Sequence, residues 1–119
     1  MGRSGFRERV FENFRGDEVV ELASKLIKIP SINPPGDTSE IAAFVKDYLE
    51  EEGVVVELCE PAEKRVNLIA EIGERGSDRV LVLNGHLDVV PIGDRSRWSF
   101  DHSQERFETD TCLGGGRPT

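Results

Sequence analysis

His86 and Asp88 stand two residues apart, just beyond the apolar run Val80-Leu-Val-Leu83, in the segment Asn84-Gly-His-Leu-Asp-Val-Val-Pro91. A neutral imidazole nitrogen is a good zinc ligand, and a nearby carboxylate can accept the other ring N–H, fixing the tautomer and raising the basicity of the ligand. His86 is therefore the candidate metal ligand and Asp88 its candidate partner. The competing reading is a satisfied structural pair, because extended geometry alone does not make side chains two residues apart meet. One imidazole and one carboxylate also fall short of the three or four donors of a zinc cage. Cys59 and Cys112, the only cysteines, lie far apart and form no Cys-x-x-Cys pair, so they read as buried or incidental thiols.

The elements that position this pair are expected to be helices followed by strands. Phe6, Val10, Phe11 and Phe14 recur at helical spacing between Arg3 and Arg15, and Gly16 breaks that run before Asp17, a candidate cap for a second helix. From Asp17 to Ile29, Val19, Val20, Leu22, Ala23, Leu26 and Ile27 form one apolar stripe, with Glu21 and Lys25 paired four apart on the opposite side. Pro30 stops this helix, and Ser31-Ile-Asn-Pro-Pro-Gly-Asp37 reads as a loop of fixed shape. Asp37 with Glu40 resembles a capping box, and Ile41, Phe44, Val45, Tyr48 and Leu49 mark a third helix that ends at Gly53.

Beyond Gly53 the period shortens. Val54–Leu58, Val66–Ile72 and Val80–Leu83 are β-branched or apolar runs separated by turn-forming segments. The last run is apolar on both faces, which predicts a strand buried on both sides of an α/β sheet. In open α/β sheets, ligands bind beyond the carboxyl ends of the strands, where His86 and Asp88 would then fall.

At 119 residues, 37% hydrophobic and 32% charged, the chain is one domain or a domain fragment. Its net charge of -8 repels phosphate backbones, so nucleic acid is not an expected partner, and a cationic or metal-bearing partner fits better. No apolar run approaches the roughly 20 residues of a membrane span. The first residues lack the apolar core of a signal peptide, so the cytoplasm is the default location.

Asn84-Gly-His-Leu-Asp-Val-Val-Pro91, followed by Trp98-Ser-Phe-Asp101, resembles the first metal motif of the co-catalytic zinc amidohydrolases and metallopeptidases. That family includes acetylornithine deacetylase, succinyl-diaminopimelate desuccinylase and aminoacylase. Lys28-Ile-Pro-Ser-Ile-Asn-Pro-Pro-Gly-Asp37 resembles the family's segment after its first long helix. The resemblance implies a zinc exopeptidase-like fold: residues 1–101 would be the N-terminal part of a helix-flanked mixed-sheet catalytic domain, without the lid or dimerisation domain. It further implies two zinc ions, or cobalt in some members, acting on the amide bonds of N-acyl amino acids or short peptides. His86 would be a ligand of one metal, and Asp88 the catalytic partner that orients it. The family's bridging aspartate, its base glutamate and its remaining ligands have no counterpart in these residues.

After Asp101 the resemblance stops, and residues 102–119 show no strand or helix periodicity. The family would continue Asp-Pro-Phe-Ser. A coding string compatible with Asp101 onward, given one additional C after the Asp101 codon, translates as Asp-Pro-Phe-Ser-Gly-Lys-Ile-Arg-Asp-Gly-Tyr-Val-Leu-Gly-Arg-Gly-Thr-Pro-Asp-Met. It thereby regains the family's Gly-Arg-Gly-x-x-Asp-Met motif. Residues 102–119 are thus expected to be an out-of-frame tail in which Gly114-Gly-Gly116 is no phosphate loop, and neither His102 nor the preceding Asp101 is expected to be a ligand. Three functional readings follow: an inactive fragment of a zinc-dependent amide hydrolase, an active hydrolase whose frame was misread, or a non-catalytic module pairing with an intact paralogue. A sheet lacking its neighbouring segments would expose an apolar edge and self-associate.

Overall fold

The computed structural model describes residues 3–76, 78–97, 106–108 and 111–113. Three helices, α1 (Arg3–Glu12), α2 (Gly16–Ile27) and α3 (Ser39–Glu51), precede the strands β1 (Val55–Ala62) and β2 (Arg65–Glu71); a short 3-10 turn (Arg95–Arg97) and the strands β3 (Arg106–Glu108) and β4 (Thr111–Leu113) follow. The chain divides into two units. One holds α1, α2 and the β3–β4 pair, and the other is Ile29–Arg97.

In the first unit, α1 stops at Glu12, and Phe14 N–H then donates to the Phe11 carbonyl at 3.2 Å. Phe6, Val10, Phe11 and Phe14 are all exposed. α2 begins at Gly16, with Arg15 at the N-cap position and no side chain capping it. Asp17 lies inside the first turn beside Glu18, which corrects the expected cap. Acidic groups suit either place, because both put negative charge near the positive end of the helix dipole. Leu22, Ala23, Leu26 and Ile27 are half-buried, while Val19 and Val20 are exposed. Lys25 and Glu21 pair at 2.7 Å as their spacing predicts. β3 and β4 pair antiparallel, Phe107 opposite Cys112. These three-residue strands lie in a stretch without strand or helix periodicity, since three residues are too few for a period-two pattern to declare itself. Asp101, His102, Gly114–Gly116 and Thr119 lie outside the described residues.

The second unit is built on α3 and the β1–β2 hairpin. α3 ends as its sequence predicts: Gly53, at φ 78°, donates its N–H to the Glu50 carbonyl at 2.9 Å, and Val54 donates to the Leu49 carbonyl at 3.0 Å. This paired arrangement satisfies two carbonyls that the last turn leaves open and needs a left-handed residue, which glycine supplies at least cost. At its other end α3 departs from the capping box. Thr38 is the N-cap residue, and its side chain makes no capping bond. The carboxylate of Asp37 instead accepts the N–H of Ser39 at 3.1 Å and the Ser39 hydroxyl.

β1 and β2 pair antiparallel, with Val56 opposite Ala70 and Leu58 opposite Leu68. The register shifts between Cys59 and Ala62, so the strand continues past Pro61 to a tight turn at Glu63-Lys64. An irregular step is where a strand tolerates proline, which has no N–H for the ladder. α3 packs on both strands. Ile41, Ala42 and Val56 are the buried apolar residues, with Phe44, Val45, Tyr48, Leu49, Val66 and Leu68 half-buried around them.

The expected strand Val80–Leu83 is corrected. These four residues are unpaired and between 77% and 87% exposed. A strand apolar on both faces exists only where neighbours supply hydrogen bonds and two packing surfaces, and the described residues put none there. The sheet of this unit is the two-stranded antiparallel hairpin alone. In place of the expected helix-flanked mixed sheet, the described residues of this unit form a small α/β unit, one helix on one antiparallel hairpin.

Candidate functional site

The two segments that carry the family resemblance lie against each other. Val89 N–H donates to the Ser31 carbonyl at 3.0 Å, and Asn33 N–H donates to the Val89 carbonyl at 2.8 Å. Ile32 and Val89 thereby form a parallel bridge, although neither belongs to a longer strand. The Ser31 side chain adds a third link, its hydroxyl donating to the Leu87 carbonyl at 2.8 Å. Ser31 is only 2% exposed, and a buried hydroxyl needs such a partner. His86 and Asp88 are thus held by the proline-rich loop, not at the end of a paired strand as their sequence context predicts.

Their side chains meet. Nδ1 of His86 lies 2.7 Å from the carbonyl oxygen of Asp88 and 3.3 Å from its Oδ1. The backbone carbonyl is thus the nearer acceptor and the carboxylate the second. Both require a proton on Nδ1, which leaves Nε2 with a free lone pair. The His86 side chain is 83% exposed, so that lone pair faces solvent. The other carboxylate oxygen of Asp88, Oδ2, accepts from the Asn33 side-chain amide at 2.9 Å. That hydrogen bond is the main reason the Asp88 carboxyl is held below the usual carboxylate range; partial desolvation opposes it and His86 reinforces it.

A loop sets each member. Gly36 N–H donates to the Ile32 carbonyl at 2.9 Å, closing the turn that carries Asn33. Further along, Asp94 accepts the Ser96 N–H at 3.0 Å and the Ser96 hydroxyl at 2.8 Å, which ends the segment in a capped turn and depresses the Asp94 carboxyl.

The sequence singles out His86 and Asp88 as site residues but not Ser31 and Asn33, although both sit inside the Lys28–Asp37 loop motif. Their signal was polarity: a serine and an asparagine flank Ile32 in a loop whose shape proline and glycine already explain.

Among the described residues, no group of three or more histidine, cysteine, aspartate or glutamate side chains is placed to hold a metal ion. His86 and Asp88 supply one imidazole donor and its orienting carboxylate. These residues alone do not fit a bound metal, and Cys59, exposed on β1, does not join them. No described helix is long and apolar enough to cross a membrane.

Over 99 residues the chain is 33% identical to a succinyl-diaminopimelate desuccinylase of Dinoroseobacter shibae, a stretch that is 82% of this chain and 25% of that protein. A match of that length in a 119-residue chain takes in both the loop and the His86 segment wherever it begins. The chain is a relative of the succinyl-diaminopimelate desuccinylases. A probable succinyl-diaminopimelate desuccinylase of Staphylococcus aureus (strain MRSA252) is 28% identical over 103 residues, covering 87% of this chain and 24% of that protein. One of Staphylococcus epidermidis is 32% identical over 81 residues, 68% of this chain and 19% of the other. The chain spans about a quarter of the length of the first two desuccinylases. No family model matches it, and no solved structure does.

Proposed function

We propose that these residues contribute the first metal-binding corner of a hydrolase that cleaves the amide bond of N-acyl amino acids or short peptides. His86 is the ligand of one metal through Nε2, and Asp88 is the partner that fixes its tautomer. The observation that carries this reading is the clamp itself, since the loop and the His-x-Asp segment, the two segments that resemble the zinc amidohydrolases, hold each other by two main-chain bonds and two side-chain bonds. The desuccinylase relatives support a hydrolase of this class. Zinc, or cobalt, bound in a complete site would polarise the amide carbonyl and lower the pKa of a bound water.

By themselves the 119 residues are proposed to bind zinc weakly and to be inactive, because a stable cage uses three or four protein donors. Purified chain incubated with N-acetyl and N-succinyl amino acids and added zinc or cobalt is expected to release no amino acid. Turnover at the rate of an intact desuccinylase, retained after removal of contaminating enzyme, would overturn this. Tight zinc binding near two ions per chain in equilibrium dialysis would do the same.

A second reading rests on the compatibility of residues 102–119 with the loss of one base after the Asp101 codon: an active enzyme whose frame was misread. The expected outcome of resequencing the locus is a single added base that restores Gly-Arg-Gly-x-x-Asp-Met. The product of that frame should hydrolyse N-acyl amino acids, and a chelator or His86→Ala should abolish the activity. A locus in which no single-base insertion recovers the motif refutes the frame reading, and co-purification of the 119-residue chain with an intact relative would favour an interaction module instead.

A further inference from the structure

We infer that Asn33 is a positioning residue: seated over Gly36, its carboxamide fixes the Asp88 carboxylate and, through it, the His86 imidazole. The functional meaning of this rests on the reading of His86 as a metal ligand. The geometric claim does not, and the two are tested separately.

The Asp88 carboxylate has two oxygens with different tasks, and its Oδ1 is the second acceptor of His86 Nδ1 beside the Asp88 backbone carbonyl at 2.7 Å. Oδ1 lies 3.3 Å from His86 Nδ1, and Oδ2 accepts from Asn33 Nδ2 at 2.9 Å. While Oδ2 is held, the carboxylate cannot rotate away from the imidazole without losing a charge-assisted hydrogen bond. Asn33 is itself held at its backbone, where its N–H donates to the Val89 carbonyl. Its side chain folds back over Gly36, where a Cβ would lie 3.2 Å from Asn33 Cγ and 3.3 Å from its Oδ1. Gly36 also adopts φ 78°, a conformation that side chains rarely tolerate. The missing Cβ thus leaves the space that the carboxamide fills, and the turn aims an N–H donor, which aspartate or serine could not supply in the same way, at a carboxylate 55 residues away in sequence.

The test uses the 119-residue chain labelled with a nitrogen isotope and reads the imidazole tautomer from long-range proton–nitrogen correlation spectra, at a pH above the imidazole titration. His86→Gln assigns the signals. In the parent chain His86 should carry its proton on Nδ1 in excess of the ratio for free imidazole. Asn33→Ala and Asn33→Asp should both shift it part of the way toward that free ratio, the Asp88 backbone carbonyl keeping the rest, while the amide signals of α3 and the hairpin stay in place. The aspartate variant keeps the shape that fills the space over Gly36 but replaces the donor by a carboxylate that repels Asp88, while the alanine variant removes the donor without adding charge, so a shift common to both is assigned to the lost hydrogen bond. The inference is overturned by an unshifted tautomer in either variant, by a parent chain already at the free ratio, or by collapse of the α3 and hairpin signals in both variants. Zinc added to the parent chain should move the His86 Nε2 signal. If it does not while the tautomer shift holds, the ligand reading fails and the positioning role stands.

Discussion

The hydroxyl of Thr38 donates to the carbonyl of Val66 at 2.9 Å and accepts the Val66 N–H at 2.8 Å, so one side chain satisfies both main-chain groups of a residue on the outer edge of β2. Thr38 N–H also donates to the Lys64 carbonyl at 2.9 Å. The residue that begins α3 thereby takes the place of a third strand and ties the helix to the hairpin, with its side chain almost fully buried. Thr38→Val keeps the shape and removes both hydroxyl bonds. Each is worth about 1 kcal/mol, and the orphaned Val66 groups add to the loss, so the expected destabilisation is roughly 2–3 kcal/mol. Urea denaturation should show it as a lower midpoint with an unchanged slope, and the Val66 amide should exchange faster.

Asp37 predicts the acid side of the stability profile. The Ser39 hydroxyl and N–H are the main reasons its carboxyl lies below the ordinary value of 3.8, with Lys64, 3.7 Å away, adding to the effect against a small opposing desolvation. A carboxyl whose folded pKa is depressed stabilises the fold above the unfolded value, and that contribution disappears as the pH falls through the folded one. Asp88 and Asp94 are shifted in the same direction. The urea midpoint should therefore fall as the pH drops below about 4. Asp37→Asn should flatten part of that decline and lower the midpoint at neutral pH; an unchanged acid profile in the variant would show that Asp37 does not contribute.

Gly36 and Gly53 share φ 78° but differ in surroundings, which makes them a matched pair. A Cβ at Gly53 meets nothing within 4 Å, whereas one at Gly36 meets the Asn33 side chain. Gly53→Ala should cost about 1 kcal/mol of backbone strain and leave the His86 segment untouched. Gly36→Ala carries the same strain and also makes the Asn33 side chain shift by a few tenths of an ångström, weakening its bond to Asp88, so the His86 ring signals should move in that variant alone. Comparing the two by denaturation and by imidazole spectra separates backbone strain from loss of the clamp.

Sequence pattern revealed the elements whose cause is local. The Gly53 end of α3, the Glu21–Lys25 pair and the two hairpin runs follow from the order of residues along one segment. What it missed depends on partners far away in the chain. Asp37 with Glu40 reads as the capping box of α3, yet Thr38 takes the N-cap position and its hydroxyl is taken by Val66, 28 residues on. Val80–Leu83 reads as a buried strand, but pairing requires neighbours that a short run cannot specify. The candidate site divides in the same way: His86 and Asp88 announce themselves by residue type and spacing, whereas Ser31 and Asn33 gain meaning only when the loop is seen beside them.

We propose that the exposed run from Val80 to Leu83 drives self-association. Val80, Leu81, Val82 and Leu83 present exposed apolar side chains on a backbone outside any strand, with Ile72 and Val90 also exposed nearby in the sequence. Unpaired N–H and C=O groups beside apolar side chains are a template for edge-to-edge pairing, and a charge placed in such a run opposes it. Sedimentation velocity should show association that rises with concentration and persists in salt, since burying apolar area is not screened by ions. Leu81→Lys combined with Leu83→Lys puts like charges on one face of the run and should return the chain to a monomer, while α3 and the hairpin keep their circular dichroism. A parent chain that stays monomeric across the accessible concentration range would remove the run from consideration as an interface, as would a double variant that associates as strongly as the parent.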